Sequence, residues 1–166
     1  MNKYKNSEFR SIVKPLLDNC PFEKTKKEKH HGITRYEHSM RVAYFSYIVT
    51  KALRLDYKET TEAALLHDFF TTEVKGKNGI ARLRQHPKYA VENAKKYFDL
   101  SDKQEDIIKT HMFPVTFTPP KYLESWIVDL VDDVASIYER GTTMKKEIKT
   151  FATFIFAFIV NYIKMH

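Results

Sequence analysis

Six side chains in this sequence have the types and placement for metal-assisted chemistry: His38, His67, Asp68, His86, His111 and Asp132. The sharpest signal is the adjacent pair His67 and Asp68 inside the apolar stretch ALLHDFF, residues 64–70. Burying two neighbouring polar side chains costs several kcal/mol unless something compensates them. A hydrogen-bond partner in the core would do so, and so would a cation. Imidazole and carboxylate donors together suit transition-metal ions, and a carboxylate with two oxygens, such as Asp68, can bridge two of them. Taken singly, each residue has an ordinary reading as a hydrogen-bonded core histidine or a solvated carboxylate. Their spacing adds weight, because successive members are separated by about one helix and one connection. Residues converging on a point from neighbouring helices would be spaced in this way.

The elements that must position them read as helices. The chain has 166 residues, 43% of them hydrophobic and 30% charged, which is the composition of a globular protein. With only 4 glycines, 6 prolines and no strand-like alternation, the pattern predicts an all-α fold in a single domain. Met40, Ala43, Tyr44, Tyr47 and Ile48 follow helical spacing, and His38, Val42, Phe45, Val49 and Ala52 form a second stripe beside them. Two apolar stripes predict a central helix, with His38 near its start. DYKE (residues 56–59) and SDKQ (residues 101–104) read as capping boxes opening helices that lead to His67 and His111. Pro87 suits a first helical turn, which puts His86 near a helix N-terminus. Leu123, Trp126, Ile127, Leu130, Val131 and Val134 predict a long amphipathic helix carrying Asp132. One turn earlier, Asp129 reads either as an acceptor for a ligating imidazole or as an exposed carboxylate; Asp133 reads as solvated.

Residues 21–32, PFEKTKKEKHHG, read as a charged, solvated loop in which His30 and His31 are weaker candidates for metal or substrate contact. Residues 111–120 hold three prolines and break any helix. The tail, FATFIFAFIVNYI at residues 151–163, is the most apolar part of the chain but shorter than the roughly 20 residues a bilayer span needs. It reads as a buried C-terminal helix, with membrane attachment or a dimer interface as alternatives.

The net charge of +7 is compatible with anionic partners and equally with simple solubility. The lone cysteine, Cys20, excludes an intramolecular disulfide framework and suits a reducing cytoplasm. Cys20 reads as a structural thiol. The N-terminal MNKYKNSEFR lacks the apolar segment of a secretory signal.

The order His … His-Asp … His … His … Asp resembles the HD superfamily of metal-dependent phosphohydrolases, all-helical proteins named for the adjacent pair. TRYEHSMRVA (residues 34–43) is similar to the first family motif, ALLHDFF to the name-giving one, and VDDVAS (residues 131–136) to the closing one. RQHPKYA and IIKTHMFP resemble segments that carry extra ligands in members with a second metal. The resemblance covers residues 32–139 and implies an HD-domain bundle of about six to eight helices, with an apolar C-terminal part at 140–166. It implies that His38, His67, Asp68 and Asp132 hold a first ion. His86 and His111 complete a second site bridged by Asp68, or contact substrate instead.

The implied activity is hydrolysis of a phosphate ester or anhydride, of a nucleotide or similar metabolite, by water bound to one or two ions of Mn, Fe, Co, Ni or Zn, with Asp68 as the central catalytic carboxylate. Arg41, one turn beyond His38, is placed to reach a phosphate. The basic stretch at residues 74–86 offers Lys75, Lys77, Arg82 and Arg84 as an anion-binding lid, or a solvated surface loop. Many family members follow the pair with small residues and a lysine. Here Phe69, Phe70, Thr71 and Thr72 follow, so the phenylalanines pack against a base or against the core. The alternative function is a non-catalytic HD module that keeps the metal and senses a nucleotide or binds a partner. No motif or concentrated basic stripe supports specific nucleic-acid binding.

Overall fold

The computed structural model describes residues 4–19, 21–27, 29–30, 33–70 and 79–140. Cys20, His31, Lys75, Lys77, Thr71, Thr72 and the apolar tail lie outside the described residues, as do the side chains of His30 and Arg82. The fold is all-α. Its helices are α1 (Ser7–Asn19), α2 (Arg35–Ala52), α3 (Tyr57–Leu66), α4 (Ile80–Ala94), α5 (Asp102–Thr110) and α6 (Leu123–Arg140), with a 3-10 helix at Pro21–Lys27. No helix among the described residues is long and apolar enough to cross a membrane.

Most helix starts are written in local side-chain chemistry. Asn6 accepts the Phe9 amide at 2.9 Å to open α1. At α2, Thr34 accepts the Glu37 amide while Glu37 reaches back to the Thr34 amide, a complete capping box. Asp56 caps α3 by accepting the Glu59 amide at 3.2 Å, and Ser101 with Gln104 forms a second complete box at α5. Gly79, at φ 65°, stands before α4 in backbone space that favours glycine.

Helix α2 is the axis of the bundle, packed against α3 and α6; α3 also meets α5, and α5 lies against both α4 and α6. Its buried face is narrower than two apolar stripes. Met40, Val42, Ala43 and Tyr47 are buried, but Phe45 and Ile48 are 48% and 42% exposed, and Ala52 is exposed. Ser39, Ser46 and Thr50 are buried instead. Short side chains there let neighbouring helices approach closely, and Thr50 satisfies its hydroxyl on the Ser46 carbonyl at 2.6 Å. Phe9, Val13, Phe22, Leu65, Leu66, Ile107, Ile108 and Val128 complete the core around it.

Two connections differ from the sequence pattern. The charged stretch at 21–32 is more than a solvated loop. Phe22 and Thr25 are buried, Phe22 lies 5.5 Å from the Tyr36 ring and 5.7 Å from Phe69, and the short strands β1 (Lys29–His30) and β2 (Ile33–Thr34) pair antiparallel. One aromatic anchor is enough to fold a run of lysines onto the body. Helix α4 begins at Ile80, so Pro87 sits inside it and His86 is mid-helix rather than near an N-terminus. The proline forfeits one ladder hydrogen bond, to the carbonyl of Leu83. Leu83 is exposed, so water can take that carbonyl and the helix runs on.

Candidate metal centre

His67 and Asp68 follow the last residue of α3 and turn the chain away from the helix. The His67 Nδ1–H donates to the Ala64 carbonyl at 2.7 Å, satisfying one of the orphan acceptors of a helix C-terminus. This fixes the tautomer and points Nε2 the other way. His111, just beyond α5, repeats the device: its Nδ1–H donates to the Ile108 carbonyl at 2.8 Å. His38 sits in the second turn of α2, with its Nδ1 2.8 Å from Glu139 Oε2. In each case the Nδ1 bond leaves Nε2 to face the interior.

These nitrogens converge. His38 Nε2 is 2.8 Å from Asp132 Oδ1 and His67 Nε2 is 3.6 Å from the same oxygen. Asp68 Oδ1 lies 3.4 Å from His86 Nε2 and 3.8 Å from His111 Nε2, and the last two nitrogens are 2.8 Å apart. Three overlapping groups have ligand atoms within 4.8 Å of one another: His38, His67 and Asp68; His67, His111 and Asp132; Asp68, His86 and His111. All six expected residues therefore share one buried focus, and Asp68 belongs to two of the groups.

The donor set fits a cation. His67 Nε2 is buried with no hydrogen-bond partner, and it faces Asp132 Oδ1, the oxygen that His38 Nε2 also approaches. Such an atom is costly unless a positive centre takes its lone pair. Ligand atoms each about 2.1 Å from one ion stand roughly 3.0–3.4 Å apart, close to the separations seen here. Electrostatics agree. Burial would raise the Asp68 carboxyl, but the His67, His86 and His111 imidazoles and the Arg35 guanidinium together hold it well below the ordinary carboxylate range. Asp132 is likewise held low against burial by His67 and His38. Burial, with His67 beside it, pushes the His111 imidazole down and favours its neutral form. His38 is pushed up to about 10: burial opposes its charge, but Asp132 and Glu139, one on each ring nitrogen, outweigh it. A proton or a metal ion would answer the same need at His38.

The turn after the pair is held from two sides. Arg35, buried on α2, donates to the Phe70 carbonyl at 2.6 Å, lies 3.9 Å over the Phe70 ring and has its Nε 3.8 Å from Asp68 Oδ2. Asn93 of α4 donates to the Phe69 carbonyl at 3.0 Å. Phe69 is core, packed on Phe22 and Tyr97, while Phe70 stacks on the His86 ring at 5.2 Å.

A family model described as the HD domain matches residues 35–137. The chain belongs to the HD-domain family. No curated protein and no solved structure matches the chain significantly. The HD domain is generally that of metal-dependent hydrolases, so the buried histidine and aspartate groups stand where such a domain could hold a divalent ion.

Other expected positions are occupied differently. Arg41 forms an ion pair with Glu139 and also lines a cleft of about 380 Å³ with Tyr4, Lys26 and Tyr36. Arg84 is exposed on α4, where it donates to the Val115 carbonyl at 3.0 Å and covers the Phe117 ring. Arg82 and Arg84 thus belong to a helix, not to a loop. Asp129 is neither exposed nor on an imidazole: it is buried and accepts the Phe113 amide at 3.1 Å. Asp133 is exposed. Sequence reasoning missed Arg35 and Glu139. Both carry a helical-face signal, Arg35 one turn before His38 and Glu139 two turns after Asp132.

Proposed function

We propose that this HD domain, taken as a single domain spanning the chain, hydrolyses a phosphate ester or anhydride of a nucleotide-like metabolite. The observation that carries this is the shared focus: an unpartnered buried imidazole nitrogen, that of His67, beside an ionised aspartate common to two histidine groups. His38, His67, Asp68 and Asp132 are the proposed holders of one divalent ion of Mn, Fe, Co, Ni or Zn, and His86 and His111, with Asp68, of a second. A bound ion would supply Lewis acidity, lowering the pKa of coordinated water toward neutrality and offsetting charge on a phosphoryl group.

The chain's own residues do the rest. Asp68 stays ionised, so it presents two oxygens without first losing a proton. The Nδ1 bonds of His67 and His111 stop their rings from turning. Arg35 steadies Asp68 and the carbonyl that follows it. Phe69 and Phe70 close the apolar side behind the ligands and exclude water there. Lys75, Lys77, Arg82 and Arg84, on the segment entering α4 and its first turns, are the proposed contacts for the anionic end of the substrate, with Arg41 as a further basic group near His38.

Elemental analysis of purified protein, paired with a screen of nucleotides and generic phosphate esters, tests this reading. Near-stoichiometric transition metal and turnover are expected, with His67→Ala and Asp68→Ala losing both. Metal-replete protein that is inert on all substrates would instead be a binding module that senses a nucleotide. Protein that takes up no transition metal would overturn the proposal.

A further inference from the structure

Glu139 lies at the far end of α6 from the helix start, two turns past Asp132. Its side chain is only 1% exposed, as is that of His38. A carboxylate buried to this degree needs strong partners, and two are present. Oε2 lies 2.8 Å from the His38 Nδ1, and Oε1 takes the guanidinium of Arg41 in an ion pair. Arg41 is itself steadied 5.5 Å over the ring of Tyr138. A continuous chain therefore runs Arg41, Glu139, His38, Asp132, joining α2 to α6 three times. His67 and His111 orient themselves on carbonyls of their own helices. At the equivalent nitrogen of His38 the acceptor comes from another helix, Glu139 of α6.

We infer that Glu139 is a positioning residue: it accepts the His38 Nδ1–H, fixes the ring so that Nε2 faces Asp132, and is itself held in place by Arg41. This rests on the metal reading above. Arg41 then acts on the site through Glu139 while also lining the neighbouring cleft.

The test is calorimetric titration of the full chain with Zn²⁺ or Mn²⁺ alone, the fold of each variant being checked by circular dichroism. Glu139→Leu keeps bulk but removes the acceptor, and should weaken the metal about 10–100-fold, the usual effect of losing such a partner. Glu139→Gln retains an acceptor oxygen and should recover most of that loss; a residue that merely fills space would make the two variants alike. Arg41→Met, which keeps the bulk of the stem and removes the charge, should weaken binding several-fold. His38→Ala should remove the first ion, and exposed Lys109→Ala should change nothing. Affinity in Glu139→Leu within twofold of the parent, or Glu139→Gln no better than Glu139→Leu, would overturn the inference while the metal reading stands. Should Glu139→Leu fail to fold, wild-type affinity in both Glu139→Gln and Arg41→Met overturns it. A parent protein that binds neither ion, and is indifferent to His38→Ala, overturns the metal reading and this inference with it.

Discussion

Asp129 is the residue whose chemistry departs furthest from its sequence appearance. Burial, with Asp133 and Asp132 close by, pushes its carboxyl up to about 8, against the Phe113 amide, which favours the charged form. The folded metal-free protein thus holds this proton more tightly than the unfolded chain. The stabilisation is complete below the unfolded value of roughly 4 and is lost as pH rises through about 8. Asp129→Asn keeps an acceptor for Phe113 and removes the titration. In thermal melts of chelated protein, its stability relative to the parent should rise by about 4 kcal/mol between pH 5 and pH 9, roughly three pKa units at 1.36 kcal/mol each. Equal melting points at both pH values would refute the assignment. Arg35 yields a second expectation at this scale. Its planar fork spans the Phe70 carbonyl, the Phe70 ring and the neighbourhood of Asp68, a task the point charge of lysine cannot perform. Arg35→Lys should lower turnover about tenfold or more, with the protein still folded by circular dichroism.

Among the elements, those with local signals are the ones the sequence discloses. The Ser101–Gln104 box and the Asp56 cap appear where the sequence places them, because capping needs residues only three apart. Thr34 and Glu37 carry the same signature just before His38; replacing Thr34 with Ala should cost about 1 kcal/mol in denaturant unfolding. What the sequence hides depends on distant partners. The start of α4 is obscured by Pro87, which ordinarily marks a first turn but is tolerated inside the helix. On α6, apolar Trp126 is 43% exposed, while Ser125, Asp129 and Asp132 are buried. The buried face of that helix is partly polar because Asp132 serves the site while Ser125 and Asp129 bond α5 and the segment after it, so a hydrophobic stripe is displaced from the face that packs. Asp106 illustrates a further hidden link: it accepts the Lys121 amide at 3.0 Å and the Ser125 hydroxyl at 2.7 Å, pinning the proline-rich segment to α5. Asp106→Ala leaves two donors unmet and should cost about 2–3 kcal/mol, read as a lowered urea midpoint with unchanged slope.

At the scale of the molecule, the six candidate ligands were legible as a set because each falls on or beside a helix, and a bundle brings helix ends and faces to one centre. Glu139 was not, since its bond to His38 joins residues 101 positions apart. A cation held at that convergence would couple the stability of the whole fold to the site. An ion that binds only the folded state stabilises it by about 2.7 kcal/mol at a hundredfold excess over Kd, roughly 5–10 °C for a chain of this size. Chelation should lower the melting point by that amount, and re-addition of the metal should restore it. A melting point indifferent to both would separate the bundle's stability from the site.

The paired turns at His67 and His111 have one more implication. Each ring is aimed by a carbonyl three residues behind it, so the segments Ala64 to His67 and Ile108 to His111 are self-contained cassettes, each a helix stop and an aimed imidazole in four residues. Grafted onto the end of an unrelated helix, such a cassette should carry its orientation with it. His38 could not be moved without bringing a second helix along.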